Sequence, residues 1–208
     1  MTMLKAIVED IDWRVAELAS LRTIPFRYRI DVNHVDILIR YIIPAIYALW
    51  EGFVKKSFIT YSEELNSLKL QISNVHENLL THALTIGTEF DLNCSRSSFD
   101  AKKRYIKAMK LKYTTTLMLT YEIPTKSNVN FDVINDILMR FNLNSMDKKY
   151  KKPLNKLLRF RNEVAHGERV TPIRKENIEE FVNLVQDLML EIYDRIEFGF
   201  NTKTYLKN

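Results

Sequence analysis

The sequence predicts an all-α protein, and three observations support that prediction. Apolar residues recur at three- and four-residue steps through most of the 208 residues, which is the spacing of one helix face. The chain has only four glycines and five prolines, too few for a turn-rich sheet protein. Hydrophobic residues make up 46% of it and aromatic residues 11%, so it is expected to fold around a core. This length predicts a single domain, residues 1–208.

Apolar periodicity divides the first half of the chain into three predicted helices. The first runs from Leu4 to Leu21 and is expected to stop at Pro25. The second runs from about Asn33 to Tyr61, and Pro44 is expected to kink it or restart it. The third runs from Ser62 to about Leu84.

An irregular or inserted segment is predicted around residues 87–125. Gly87 to Asp100 is polar and typical of a loop. Phe99 to Lys112 is compatible with a basic helix. Thr114 to Tyr121 is rich in β-branched residues, and its pattern leaves open whether it is extended or helical.

Three helices are predicted in the last third of the chain. Asn130 is a candidate N-cap for a short helix that runs through Phe141. The next helix begins at Asp147 or Lys148 and ends at His166, with Gly167 as the expected C′ residue. Arg174 to Phe198 has the most regular apolar face of the chain.

Several protein classes are disfavoured by the residues that are missing. The chain has no G-x-G-x-x-G or Walker segment, so a P-loop nucleotide hydrolase is not expected. Cys94 is the single cysteine, which rules out an intrachain disulfide and a cysteine-based zinc site. The amino terminus lacks the features of a signal peptide. The apolar run 37–53 is interrupted by Arg40 and Glu51 and is expected to fall short of a membrane span. A cytoplasmic protein without a membrane partner is therefore predicted.

Positive charge is concentrated in two segments. The net charge is +5, with six basic and no acidic residues from 101 to 112 and seven basic and no acidic residues from 148 to 161. Lysine and arginine supply the sequence-independent part of nucleic-acid affinity, although a basic run is also typical of a solvated helix face. For 101–112 both interpretations stay open. For the second segment we favour nucleic-acid binding, with Lys152, Lys156 and Arg159 as candidates.

The most informative segment is Arg161-Asn162-Glu163-Val164-Ala165-His166-Gly167. Arginine stays charged at any working pH and offers a fork of donors to a phosphate, whereas histidine exchanges a proton near neutrality. At about 100° per residue, Asn162 lies about 40° from His166 and Arg161 about 140° from it around a helix. The alternative is structural: His166 satisfies carbonyls at a helix C-terminus while Arg161 pairs with a surface carboxylate.

This Arg-x4-His motif resembles the catalytic motif of the HEPN superfamily, and two further segments resemble its bacterial MAE-type or RiboL-PSP branch. These are Leu49-Trp50-Glu51-Gly52-Phe53-Val54-Lys55 and Ser127-Asn128-Val129-Asn130. The similarity extends from about Asp36 to Ile196, with a core of about 36–198 and residues 1–35 as an amino-terminal helical extension.

The resemblance implies a helical bundle that dimerises and cuts RNA at a composite cleft without a metal ion or cofactor. Arg161 and His166 would be catalytic, Asn162 would support them, and Glu51 would be a further candidate. Family members are often toxins neutralised by an antitoxin, or effectors of phage defence. Glu51 either pairs with Arg161 or is a solvated charge.

Three hypotheses follow from these observations. The first is a dimeric endoribonuclease that acts as a toxin or defence effector, and the second is a non-catalytic helical module that binds RNA or a protein. The third is a DNA-binding regulator, which rests on positive charge alone. The combination of Arg161, Asn162 and His166 favours the first, because a pure scaffold has no chemical need for all three.

Overall fold

The computed structural model describes residues 2–29, 31–85, 98–113, 115–126, 128–168 and 172–207. In these ranges the protein is helical, and β structure is limited to isolated bridges that pair Gln71 with Thr116 and Val75 with Leu206. The all-α prediction is therefore confirmed. The helices are α1 (Met3–Arg27), α2 (Val32–Ser67), α3 (Glu77–Thr85), α4 (Phe99–Lys112), α5 (Phe131–Arg140), α6 (Lys151–Ala165) and α7 (Lys175–Asn201).

The centre of the fold is α2, which packs against α1, α6 and α7. Its side chains at Trp50, Phe53, Phe58 and Tyr61 have no exposed surface. Large aromatic side chains contribute the most apolar area to a core, so this half of α2 anchors the bundle. Facing it, α7 buries ten residues along its length.

The 36-residue length of α2 corrects one expectation. An 18-residue window within 33–67 has a mean hydropathy of 1.5 and meets the length and composition of a membrane-crossing helix, whereas the run 37–53 was expected to fall short. In the structure, 44% of that window is buried inside the protein. The side chains of Ile37 and Tyr41, near the start of the helix, are 49% and 65% exposed.

Two predicted helix boundaries in the first half were wrong, and the second helix does not restart at Pro44. Pro25 lies inside α1, which continues to Arg27, because a proline near the last turn removes only one hydrogen bond. Pro44 also lies inside α2 without restarting it. The helix expected from Ser62 to Leu84 is the end of α2, a turn and α3, since Lys69 adopts a φ of 48° and breaks the helix. Neither glycine nor proline marks that turn in the sequence.

The segment around 87–125 is partly described. Residues 86–97, and with them Cys94 and most of the predicted loop, lie outside the described residues. The basic segment forms α4, as its pattern allowed. The following residues are not helical, and Leu117 N donates to Leu70 O at 2.7 Å, so the β-branched stretch lies alongside the end of α2.

The three helices predicted for the last third are present, although α6 begins only at Lys151 and α7 continues past Phe198 to Asn201. The Asn130 side chain caps α5 by accepting from Val133 N. A 3₁₀ turn at Lys148–Tyr150 leads into α6, whose first turn contains Pro153. After α7 the chain folds back: His76 N donates to Tyr205 O at 2.8 Å and Lys207 N donates to Asn74 O at 2.9 Å. This C-terminal segment, residues 205–207, covers the turn before α3.

Candidate functional site

The predicted motif lies at the C-terminal end of α6. Gly167 adopts a φ of 71°, donates to Val164 O, and is followed by Glu168, which donates to Glu163 O at 2.9 Å. These two bonds form a Schellman motif, in which glycine takes the left-handed position at low cost. His166 is the C-cap residue, and its side chain is exposed. The helix end therefore holds the backbone of His166 in place and leaves its imidazole facing solvent.

Arg161 is held by three side chains that come from three parts of the chain. Its guanidinium lies 4.9 Å from the centre of the Tyr47 ring on α2. Its Nη1 atom donates to Asn162 Oδ1 at 2.9 Å and to Asn128 Oδ1 at 3.2 Å. A cation over an aromatic face gains about 0.5–2 kcal/mol, more where water is excluded. Since Arg161 is half-buried, these contacts fix the direction of its fork.

The Tyr47 hydroxyl connects this arginine to Glu51 and Val129. It accepts from Val129 N at 2.7 Å and is hydrogen-bonded to the Glu51 carboxylate. Burial, reinforced by Glu51, raises the pKa of Tyr47 to about 12, although the Val129 bond and Arg161 oppose the shift. The phenol therefore remains neutral at working pH and acts as the hydrogen-bond donor towards Glu51. Glu51 also pairs with Lys55 at 2.7 Å.

The neighbours of Glu51 explain the Trp50-Glu51-Gly52 segment physically. Trp50 is fully buried, and its Nε1 donates to Val129 O at 3.0 Å. Tyr47 and Trp50 thus bind the backbone N–H and C=O groups of Val129, and this fixes the neighbouring Asn128 beside Arg161. On the other side of α2, Gly52 makes room for Arg14 of α1, since a Cβ there would lie 2.9 Å from Arg14 Nη1.

A cleft of about 510 Å³ lies beside the motif. Asn162 and His166 both line it, whereas Arg161 does not, which agrees with their angular separation on the helix. The remaining lining side chains belong to the same face of α6, to the segment before α5 and to the chain after Gly167: Asn128, Asn130, Asn155, Leu158, Arg159, Glu163 and Glu168. This volume lies within the range of about 300–1,000 Å³ that small ligands occupy.

The three basic candidates on α6 lie in different surroundings. Arg159 lines the cleft and pairs with Glu163 at 3.6 Å. Lys152 is exposed and lies on the same face of α6 as Arg159, seven residues earlier in the chain. Lys156 is on another face, with its ammonium 2.6 Å from Glu180 of α7. The structure thus brings Arg159 to the site and directs Lys156 towards α7.

The expected direct pairing of Glu51 with Arg161 is not among the ion pairs of the described residues. Glu51 pairs with Lys55 and reaches the arginine only through the Tyr47 phenol. Its other expected role, a solvated charge, does not fit either, because its side chain is only 18% exposed. Glu51 is therefore one step removed from the motif.

Sequence reasoning did not identify Tyr47 as part of this site, or Asn128 as a ligand of Arg161. Tyr47 stands four residues before Glu51, so the helical spacing placed both on one face of α2. Asn128 stands two residues before the N-cap Asn130, in one of the two further segments that carry the family resemblance. Those two spacings were the available signals. Neither spacing shows that these residues contact Arg161, because that contact depends on the packing of α2 against α6.

Comparison of the chain with curated proteins and with solved structures finds no match. The family model described as RiboL-PSP-HEPN matches residues 9–197. The match begins inside α1, earlier than the Asp36 start expected from the motifs, and it contains Tyr47, the Trp50-Glu51-Gly52 segment and the Arg-x4-His motif. With this match, over an all-helical fold, the chain belongs to the RiboL-PSP family of HEPN proteins.

Proposed function

We propose that the protein is a metal-independent endoribonuclease of the HEPN type. Family membership is compatible with an RNase or an RNA-binding role. The observation that favours catalysis is the linkage of the motif: Arg161 is oriented by Asn162, and Asn162 shares a cleft with the exposed imidazole of His166. A cation held in a fixed direction, and a proton-transfer group linked to it through Asn162, are the groups that phosphodiester cleavage requires.

In the proposed reaction, the ribose 2′-oxygen attacks the adjacent phosphorus while the bond to the 5′-oxygen breaks. The 2′-OH loses its proton and the departing 5′-oxygen gains one, which leaves a 2′,3′-cyclic phosphate and a 5′-OH. His166 carries one of these proton transfers, a contribution of roughly 10²–10⁴-fold. Arg161 stabilises the charge that develops on the phosphate oxygens, and Asn162 keeps its fork in place.

The proposed active form is a homodimer. Within one chain Arg161 faces Tyr47 and does not line the cleft that contains His166. A two-fold partner that brings its own motif opposite the first would supply a second guanidinium to each cleft. Light scattering tests the oligomeric state, and a strictly monomeric, fully active enzyme would contradict the composite site.

Incubation with total RNA in EDTA tests the activity. The parent protein should generate fragments with 2′,3′-cyclic phosphate and 5′-OH ends, and an all-deoxy oligonucleotide should stay intact. Arg161→Ala and His166→Ala should each abolish cleavage while circular dichroism retains the helical signal. Their effects should be non-additive, because residues of one catalytic unit fail together. Cleavage of the deoxy control, or products that need added divalent metal, would overturn the proposal.

The proposed biological role is that of a toxin or phage-defence effector restrained by an antitoxin or another regulatory protein. If so, Arg161→Ala and His166→Ala should each relieve growth inhibition on expression. The alternative function is a non-catalytic HEPN module that binds RNA or a protein. Growth inhibition that persists in both variants, with no RNA fragments, would favour that alternative.

A further inference from the structure

Four asparagine side chains line the cleft beside His166: Asn128, Asn130, Asn155 and Asn162. In three of them the amide oxygen already accepts a hydrogen bond from within the protein. Asn128 Oδ1 and Asn162 Oδ1 accept from Arg161, and Asn130 Oδ1 accepts from Val133 N. Because a guanidinium or backbone N–H can bond only to an oxygen here, these contacts fix which way each amide is turned.

The amide nitrogens of these three asparagines are therefore the atoms left to bind a ligand. None of these three nitrogens has a hydrogen-bond partner among the described residues. None of them is among the buried polar atoms that lack a partner, so they are accessible to solvent. Each NH₂ group offers two donors and no acceptor. The cleft thus presents a set of uncharged donors next to the motif histidine.

The charge of the cleft indicates what those donors bind. Among the described residues that line it, Arg159 is the only arginine or lysine and is paired with Glu163, while Glu168 adds a second carboxylate. Two carboxylates against one guanidinium do not favour a second phosphate group in this cleft. They leave an uncharged group as the better match, and the amide nitrogens select an oxygen acceptor, which RNA carries on its bases.

We propose that this cleft recognises the keto edge of an RNA base, uracil or guanine, next to the scissile phosphate. The proposal rests on the ribonuclease function proposed above and adds a substrate preference to it. Asn128, Asn130 and Asn162 are the residues that read the base, through their amide nitrogens.

The chemistry of the bases gives this preference its direction. Uracil, like thymine, and guanine present an oxygen acceptor at O4 and O6, whereas cytosine and adenine present an amine donor there. The two-point pairing of asparagine with adenine needs the amide oxygen as well as the nitrogen. Since that oxygen is turned towards Arg161 or Val133 N, a cytosine or adenine amine would meet the amide nitrogen and leave both donors unpaired. Such mismatches are rejected strongly when the site's own polar groups lose their partners.

Substitutions are available that remove the donor and keep the internal contact. In Asn130→Ser the hydroxyl still caps α5, and in Asn128→Asp a carboxylate oxygen still accepts from Arg161. Asn183→Ser and Asn183→Asp, on an exposed position of α7, serve as matched controls. Thermal melting of each variant verifies that the fold is unchanged.

The experiment measures affinity for fluorescein-labelled oligo(U) and oligo(C) in the His166→Ala background, where cleavage does not interfere. We expect the parent background to bind oligo(U) more tightly than oligo(C), by roughly tenfold for one neutral hydrogen bond gained or lost. Asn130→Ser and Asn128→Asp should bring that ratio close to one, and the Asn183 controls should leave it unchanged. In the active enzyme, cleavage should likewise favour uridine over cytidine sites.

Two outcomes would overturn the proposal: no preference in the parent background, or an equal loss of affinity for both oligonucleotides, which would indicate a phosphate contact. Cleavage that depends on Arg161 and His166 but is equal at uridine and cytidine would contradict the proposed base preference and support the proposed ribonuclease function. A preference for oligo(U) that the asparagine variants abolish, without cleavage of any RNA by the protein with His166 intact, would support the base preference and contradict the ribonuclease function.

Discussion

The guanidinium of Arg161 lies over the ring of Tyr47, 4.9 Å from its centre, although 114 positions separate the two residues. The contact joins α6 to α2, and the Tyr47 hydroxyl continues it to Val129 and Glu51. A residue of the central core helix therefore sets the direction of the motif arginine.

Replacing Tyr47 should lower the activity of the protein. Tyr47→Leu removes the ring, so we expect kcat/KM for RNA cleavage to fall roughly tenfold or more, as about 1–2 kcal/mol of cation–π interaction is lost. Tyr47→Phe retains the ring and should keep more of the activity. Tyr61→Phe is the matched control, since this buried tyrosine of α2 has no hydrogen-bond partner for its hydroxyl among the described residues. Full activity in Tyr47→Leu would remove Tyr47 from the site.

Basic residues on the two faces of α6 should differ in their effect on RNA affinity. Lys152→Gln should weaken binding for every sequence and flatten its dependence on salt, by about 0.7 in the logarithmic slope for a single strand, whereas Arg159→Gln should have a smaller effect because Glu163 already pairs with Arg159. Lys156→Gln should change little, because that ammonium is paired with Glu180. Salt titrations by fluorescence anisotropy measure the slopes. Equal slopes for all three variants and the parent would make this stripe a solvated surface.

The effect of Gly52→Ala on stability should depend on Arg14. In the parent the new Cβ would displace a buried guanidinium that donates to Leu49 O at 3.0 Å, and losing such a charged hydrogen bond costs about 1.5–3 kcal/mol. That loss exceeds the helix-propensity gain of about 1 kcal/mol for alanine over glycine. Once Arg14→Ala has removed the guanidinium, the same substitution should be stabilising. Urea denaturation of the four proteins in the cycle tests this, and an equal effect in both backgrounds would contradict it.

Acidification should destabilise the protein through His82. This residue is 1% exposed, and burial, assisted by Arg140 and opposed by Asp136, lowers its pKa to about 4 from 6.5. Because the folded pKa is depressed, the unfolded chain binds the proton more tightly. The stabilisation is complete above pH 6.5 and is lost as the pH falls towards 4, up to about 3 kcal/mol. His82→Leu should show a smaller loss of unfolding free energy over this window, while His34→Gln, on the exposed start of α2, should behave like the parent.

Local features were readable from the sequence because neighbouring residues determine them. The cap at Asn130, the left-handed Gly167 and the angular relation of Asn162 to His166 depend only on helix geometry and on nearby hydrogen bonds. The end of α2 was missed because Leu65 and Leu68 continue the same apolar spacing through it, and Lys69 gives no signal for a positive φ.

Partners distant in the chain could not be read in the same way. Periodicity predicts that Tyr47 is buried, but it does not say which cation meets its ring. In the same way, Lys156 belongs to a basic run, and only the packing of α7 beside α6 shows that Glu180 neutralises it. Charge counting cannot separate such a lysine from one that faces a substrate.

The C-terminal segment has a consequence for the order of events during synthesis. Tyr205 is buried, and residues 205–207 bond to the backbone of Asn74 and His76, which are made much earlier. Chains emerge amino-terminus first at roughly 5–20 residues per second. The helices α6 and α7 and residues 205–207 are therefore made after α2, which lacks these packing partners until then. Arg161, which α2 orients, is therefore correctly placed only when synthesis of this region is nearly finished. A chain that is still being made therefore lacks part of the packing around α2 and the turn before α3 until residues 175–207 have been added.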